Sequence, residues 1–357
     1  MYRVNSIKEN QPVLQGVQWP PLPGFESLEP GFSEYMSLDR DRQRRYWEAQ
    51  RGKNDYEERL NRFLSIVSTY LFSYCDSPLY LQTDDDFEIA LQCAKINLER
   101  EVTDTWLPIG GIRKLDDQQQ TADYLDELVG SNAGVNHPLF DYLESTASLD
   151  ALHVFLRNEV CRNEVVDDEV AMMSVGIQGA MKAAVCSNLW DEVGHGTLKQ
   201  YHTYWLRELV DALSDWEGLI EYRKSEKPWF TAITTNVFNI LLSRPGLKFR
   251  RYGWFLLNEG WVEPHFNKIL KGMTRVGLNA EGVQRYFSAH VSIDPRHTQE
   301  LIESFRHQKP KMTSEQANEV VRGAHMSLSA SLKQFDLMLN YIKAITDGKV
   351  KCVSLVA

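Results

Sequence analysis

From Ser148 onward, apolar residues recur at steps of three and four almost without interruption, and this constrains the chain more than any other feature. Such spacing lays the apolar side chains along one stripe of an α-helix, and successive stripes must bury themselves against one another. The pattern predicts helices near 148–162, 166–193, 198–214, 228–243, 248–260, 263–276, 280–290, 294–308 and 314–346. Ser314 with Gln316, and Asp294-Pro295, have helix-start chemistry. Upstream, Tyr46, Leu60, Phe63, Ile66, Val67, Tyr70 and Leu71 predict helix between 39 and 74, and 84–101 repeats the pattern behind Asp84, Asp85 and Asp86. Residues 102–146, with Gly110-Gly111, a glutamine run and polar turns, read as a connection. Alternating Val, Ile and Thr runs are nearly absent, and no repeat of fixed period occurs. The expectation is an all-α protein, with an extended arm and helices over 1–140 and a main bundle over 141–357.

Composition narrows the function classes. The chain has 357 residues, 43% hydrophobic and 25% charged, enough to bury a large core. Its 21 glycines and 13 prolines are few for this length, which again favours helices over turns. A formal charge of −10 argues against nucleic acid or an anionic membrane surface as partner. No apolar run approaches the ~20 residues that span a bilayer, and the first ten residues lack the apolar stretch of a signal peptide. Cys75, Cys93, Cys161, Cys186 and Cys352 are scattered, with no C-x-x-C pair, so thiolate metal sites and disulfide scaffolds are excluded and a cytoplasmic setting is expected. Five prolines between Pro12 and Pro30 read as an extended arm strapped down by Trp19 and Phe25.

Three stretches carry residues able to do chemistry. In HVSIDPRH, His290, Asp294 and His297 stand at i, i+4 and i+7. On one helix they would share a sector of roughly 60°, a nitrogen and oxygen set that suits iron. The competing reading makes Asp294 the cap and Pro295 the first residue of a new helix. In NLWDEVGHGTLKQYH, Asp191 and Glu192 sit at a helix C-terminus, against the dipole, so a cation or an arginine should hold them. His202 follows ten residues after Glu192; His195 is its rival, at the Glu-x-x-His spacing of di-iron bundles, although Gly194 and Gly196 flank it. In RYGWFLLNEGWVEPHF, Glu259 lies in an apolar segment where an unpaired carboxylate is costly, with Glu263 as its rival.

Together, Asp-Glu-x-Gly-x-Gly…His, a Glu before a Pro, and His-x-x-x-Asp-x-x-His resemble the haem-oxygenase-like diiron oxidases and oxygenases over about 148–310. The resemblance implies a haem-oxygenase-like helical bundle holding two Fe(II) ions, with O2 as co-substrate and an electron donor that the sequence does not identify. Its ligands map onto Glu192, His202, Glu259, His290, Asp294 and His297. Members that oxygenate nitrogen carry a further upstream carboxylate, for which Glu159 and Glu164 are the candidates. The alternative reading makes these two, with Asp167, Asp168 and Glu169, a solvated face and a helix start. The resemblance implies N-oxygenation of a small amine or amino acid, or oxidative C–C cleavage or decarboxylation of an amino or fatty acid. Trp190, Tyr201, Trp254, Phe255 and Tyr286 are candidate pocket walls, and Arg251, Arg275, Arg285 and Arg296 candidate holders of a substrate carboxylate. A metal-free helical binding protein, a cofactorless enzyme on the same scaffold and a helical interaction protein are the rival classes; a homodimer through the N-terminal helices is a further expectation.

Overall fold

The computed structural model describes residues 31–72 and 85–350. The proline-rich arm with Trp19 and Phe25, and Cys75 and Cys352, lie outside these. Among the described residues there is no strand, only an isolated antiparallel bridge between Val193 and Tyr201. No helix there is long and apolar enough to cross a membrane.

Four helices come first: α1 (Phe32–Ser37), α2 (Arg40–Gln50), α3 (Tyr56–Phe72) and α4 (Asp85–Glu101). Asp39 caps α2, its carboxylate accepting from the Arg42 N–H at 2.8 Å. The stretch expected to be a bare connection instead contains α5 (Gln118–Gly130) and α6 (Pro138–Ser145). Asp117 caps the first; the second begins with Pro138 behind a His137 cap. Leu125, Val129, Leu139, Phe140 and Leu143 give them a buried face, and burial rather than loop polarity decides their structure.

Then follow α7 (Leu149–Asn163), α8 (Val166–Met173), α9 (Gly179–Glu192), α10 (His202–Leu213), α11 (Trp216–Glu221) and α12 (Ile233–Leu242). The single helix expected over 166–193 is interrupted between α8 and α9, where Gly176 and Gly179 adopt φ of 77° and 63°. Three long helices complete the fold: α13 (Lys248–Arg275), α14 (Glu281–Arg306) and α15 (Ser314–Thr346). Thr313, not Ser314, caps α15, in a capping box with Gln316.

Two expected breaks do not occur. Pro264 lies inside α13 and Pro295 inside α14, so 248–260 joins 263–276 and 280–290 joins 294–308. An internal proline costs about 3 kcal/mol. Each helix buries an apolar stripe along its whole length, worth roughly 1.5–3 kcal/mol per large side chain, which outweighs that cost. Helix α13 is the centre of the bundle, packed against α14, α15 and α6, while α9 and α10 cross α14. One buried cluster runs from Phe32 to Ile345, joining the N-terminal helices to the bundle.

Candidate metal centre

Four elements converge on one buried cluster. Helix α9 ends at Glu192, and α10 begins at His202 after two 3-10 turns. Between them Gly194, His195 and Gly196 all have positive φ (51°, 53° and 77°), so the chain reverses in a few residues and brings His202 back to Glu192. Helix α13 contributes Glu259 from its apolar middle. Because Pro295 does not break α14, His290, Asp294 and His297 share one face of a single helix, and the expectation of Asp294 as a cap is overturned. Asp294 is 2% exposed and His297 0%.

The six residues form two triads. Glu192, His202 and His290 bring one ligand atom each to within 4.8 Å of the others, and so do Glu259, Asp294 and His297. In the first, Glu192 Oε2 and His202 Nδ1 are 2.8 Å apart, yet neither makes a hydrogen bond of acceptable direction. The His290 Nδ1–H donates to the Tyr286 carbonyl at 2.6 Å, which leaves Nε2 for the cluster. In the second, His297 Nδ1 lies 3.3 Å from Glu259 Oε2 and 3.6 Å from Asp294 Oδ1. Asp294 Oδ1 has no hydrogen-bond partner.

Electrostatics distinguish the members. Burial pushes the Asp294 carboxyl well above the usual range, and Glu259, Glu192 and Asp191 add to this. Burial also raises Glu259, against the pull of His297. Burial would raise Glu192 too, but His202, His290 and His297 together hold it below its ordinary value. His290 falls to about 3, through burial and the neighbouring His202. His297 is driven to about 9: burial lowers it, but Glu259 and Asp191 prevail. Three buried carboxylates thus face three imidazoles with no lysine or arginine in either triad, a set that a cation would neutralise.

Asp191 answers the question raised by its place at a helix C-terminus. Its Oδ2 accepts from the His297 Nε2–H at 2.8 Å and from Arg296, and its Oδ1 from His195 Nε2 at 2.6 Å. Arg296 and His297 thus hold Asp191 at the helix end. That contact fixes the His297 tautomer, with Nδ1 turned to the triad. His195, 57% exposed on its side chain, takes part only through Asp191 and does not reach the cluster. Glu263 accepts from Asn267 at 2.9 Å and is absent from both triads. Glu164 pairs with Arg223.

A cavity of about 160 Å³ adjoins the cluster, reached by Glu192, Glu259, His290 and Asp294. Trp254, Phe255 and Tyr286 line it as expected. Trp190 does not; it is 55% exposed on the outer face of α9. Tyr201 is not in the wall either, because it precedes α10. None of the four arginines singled out for a substrate carboxylate lines the cavity. Arg251 and Arg275 donate to backbone carbonyls, Arg285 to Glu208 and Glu281, and Arg296 to Asp191. Glu159 does line it, and Glu169, expected in a solvated run, is 1% exposed on the same wall. Three consecutive acidic residues look solvated in a sequence; only the turn between α7 and α8 decides which of them points inward.

A family model described as iron-containing redox enzyme matches residues 153–332, half of the chain, a span that contains all six residues of the two triads. No curated protein matches the sequence.

Proposed function

The chain belongs to the iron-containing redox enzyme family, and on that premise we propose a non-haem diiron oxygenase that uses O2 to oxidise a small amine or amino-acid substrate by N-oxygenation. The observation that carries this reading is the pair of adjoining buried triads, Glu192, His202 and His290 beside Glu259, Asp294 and His297. Nitrogen and oxygen donors in this ratio suit first-row metals, and six of them serve two ions with positions left for reactants. Glu192 Oε2, His202 Nδ1 and Asp294 Oδ1 fit that role, because buried polar atoms that make no hydrogen bond are rare.

Iron held there would supply the redox equivalents for reaction with O2, in company with an external electron donor. The protein does the rest. Tyr286 and Asp191 fix the tautomers of His290 and His297 through their outward nitrogens. His202 is held between its neighbours, its ring stacked on Trp205 at 4.9 Å between centroids. The aromatic cavity keeps water from the reacting atoms and orients the substrate beside the cluster.

Anaerobic loading with Fe(II) should give about two irons per chain. His290→Ala and His297→Ala should each lower that content. Mixing the loaded protein with O2 and a panel of amines and amino acids should then yield, by mass spectrometry, a product that has gained oxygen at nitrogen. A product that has lost carbon dioxide would replace N-oxygenation with C–C cleavage. Failure to hold iron would sink the diiron reading.

A further inference from the structure

The cavity wall built by α7 and α8 carries chemistry that the two triads do not use. Asn158, Glu159, Arg162 and Glu169 all line it. Arg162 Nη1 donates to Glu169 Oε2 at 2.9 Å, so the wall's guanidinium is already engaged by a carboxylate. Glu159 then stands as a second carboxylate against one guanidinium, and it accepts a long hydrogen bond from the Asn163 amide at 3.4 Å. It is half-buried by area, and its surroundings push its carboxyl up to about 7, chiefly through desolvation. Beside it, Asn158 is 2% exposed with Oδ1 unpartnered, and Glu169 Oε1 is unpartnered too. The wall therefore offers buried acceptors and two carboxyl groups against one guanidinium, and a cation placed there would favour the charged form that burial disfavours.

The rest of the cavity carries no unengaged cationic side chain, only neutral polar groups on Thr234, Asn258, Ser331 and Gln334. His265 turns Nε2–H to the Gly134 carbonyl at 2.8 Å, and burial drives its pKa to about 3, so it stays neutral. Phe155, Phe238, Trp254, Phe255 and Phe266 supply apolar surface. A volume of about 160 Å³ suits a ring with a short chain. At the α7–α8 wall a carboxylate would meet Glu159 and Glu169 with no unengaged cationic side chain, whereas an ammonium would meet acceptors and aromatic faces.

We infer that the substrate is a primary amine with an aromatic or branched apolar body and no carboxylate, received as ammonium by Glu159 and Asn158 and freed for reaction at nitrogen by passing one proton to the Glu159 carboxylate. This deepens the oxygenase reading and rests on it for the reaction, though not for binding. Glu159 acts here as a substrate-holding residue, not as an iron ligand.

Three probes that share one body separate the possibilities: 2-phenylethylamine, phenylalanine and 3-phenylpropanoate. Their binding to the full-length protein is measured by anaerobic calorimetry, with and without Fe(II). The amine should bind about tenfold or more tightly than either carboxylate-bearing probe, and Glu159→Gln should weaken it by about tenfold while leaving iron content unchanged. Asn158→Leu, similar in volume, should weaken it in the same direction. Phenylalanine binding as well as the amine would overturn the inference. So would unchanged amine binding in Glu159→Gln, or loss of iron from that variant, which would make Glu159 a ligand. Iron held with no amine bound overturns this inference alone; amine binding that depends on Glu159 in protein unable to hold iron sustains it and overturns the diiron reading instead.

Discussion

At the scale of single residues, Asp191 shows how a buried imidazole is oriented by a group outside its own cluster. It is not in either triad, yet it sets which nitrogen His297 turns inward. Asp191→Asn should weaken metal binding by about 10- to 100-fold in a chelator competition, the usual loss for such a partner. His195→Ala, which removes only an exposed contact to Asp191, should change it little. A pH dependence follows from His297 itself. Its imidazole is protonated below about 9, and a metal takes only the neutral form. Loading should therefore release protons at neutral pH, and affinity should climb as pH rises towards about 9 and level off above it. A flat profile in indicator-dye titrations would contradict the raised His297. The residues of this cluster were largely readable in advance, because carboxylate and imidazole types at helical spacing are visible in a string of letters. Asp191 was visible only as an unsatisfied demand, a negative charge at the wrong end of a helix. Asn158 and Glu169 gave no signal, since a buried amide and a solvated one look alike in sequence.

At the scale of elements, α13 and α15 approach closely enough for their backbones to touch. A Cβ on Gly253 would lie 1.8 Å from the Val320 carbonyl oxygen, and one on Gly323 1.8 Å from that of Arg250. Alanine normally favours a helix over glycine by up to about 1 kcal/mol. Here Gly253→Ala or Gly323→Ala should instead destabilise by about 3 kcal/mol or more, read as a fall in the thermal midpoint, since neither backbone can yield cheaply. The long helices themselves were legible from periodicity. Their continuity through Pro264 and Pro295 was not, because local chemistry favours a break and only the stripe buried along the whole length overrides it. The same reason, reversed, hid α5 and α6: their polar faces dominate the letters, and their few apolar residues matter only once α13 and α14 are there to cover.

At the scale of the molecule, the N-terminal helices share the core of the bundle. Helix α3 packs on α12, and the Asn236 amide donates to the Asn61 carbonyl oxygen at 2.9 Å across that junction. A chain beginning at residue 85 should therefore expose the apolar face of α12, bind a hydrophobic dye such as anilinonaphthalene sulfonate and unfold at lower temperature. Unchanged dye binding and midpoint would make 31–72 a separable arm. The packing of α3 on α12 was not legible, because an apolar stripe records that a helix has a partner and not which one.

The two internal prolines bear on how such a centre can work. Pro264 has no N–H to give the Gly260 carbonyl, and Pro295 none for Val291, so each helix lacks one rung of its ladder immediately beside a member of the cluster, Glu259 on one and His290 on the other. Elsewhere α13 is clamped to α15 by backbone contact at Gly253. The missing rungs put a joint in each helix at the level of the cluster. On the diiron proposal, that relaxed backbone would let Glu259, His290 and Asp294 adjust to a change in the charge or spacing of bound iron without displacing the helix ends.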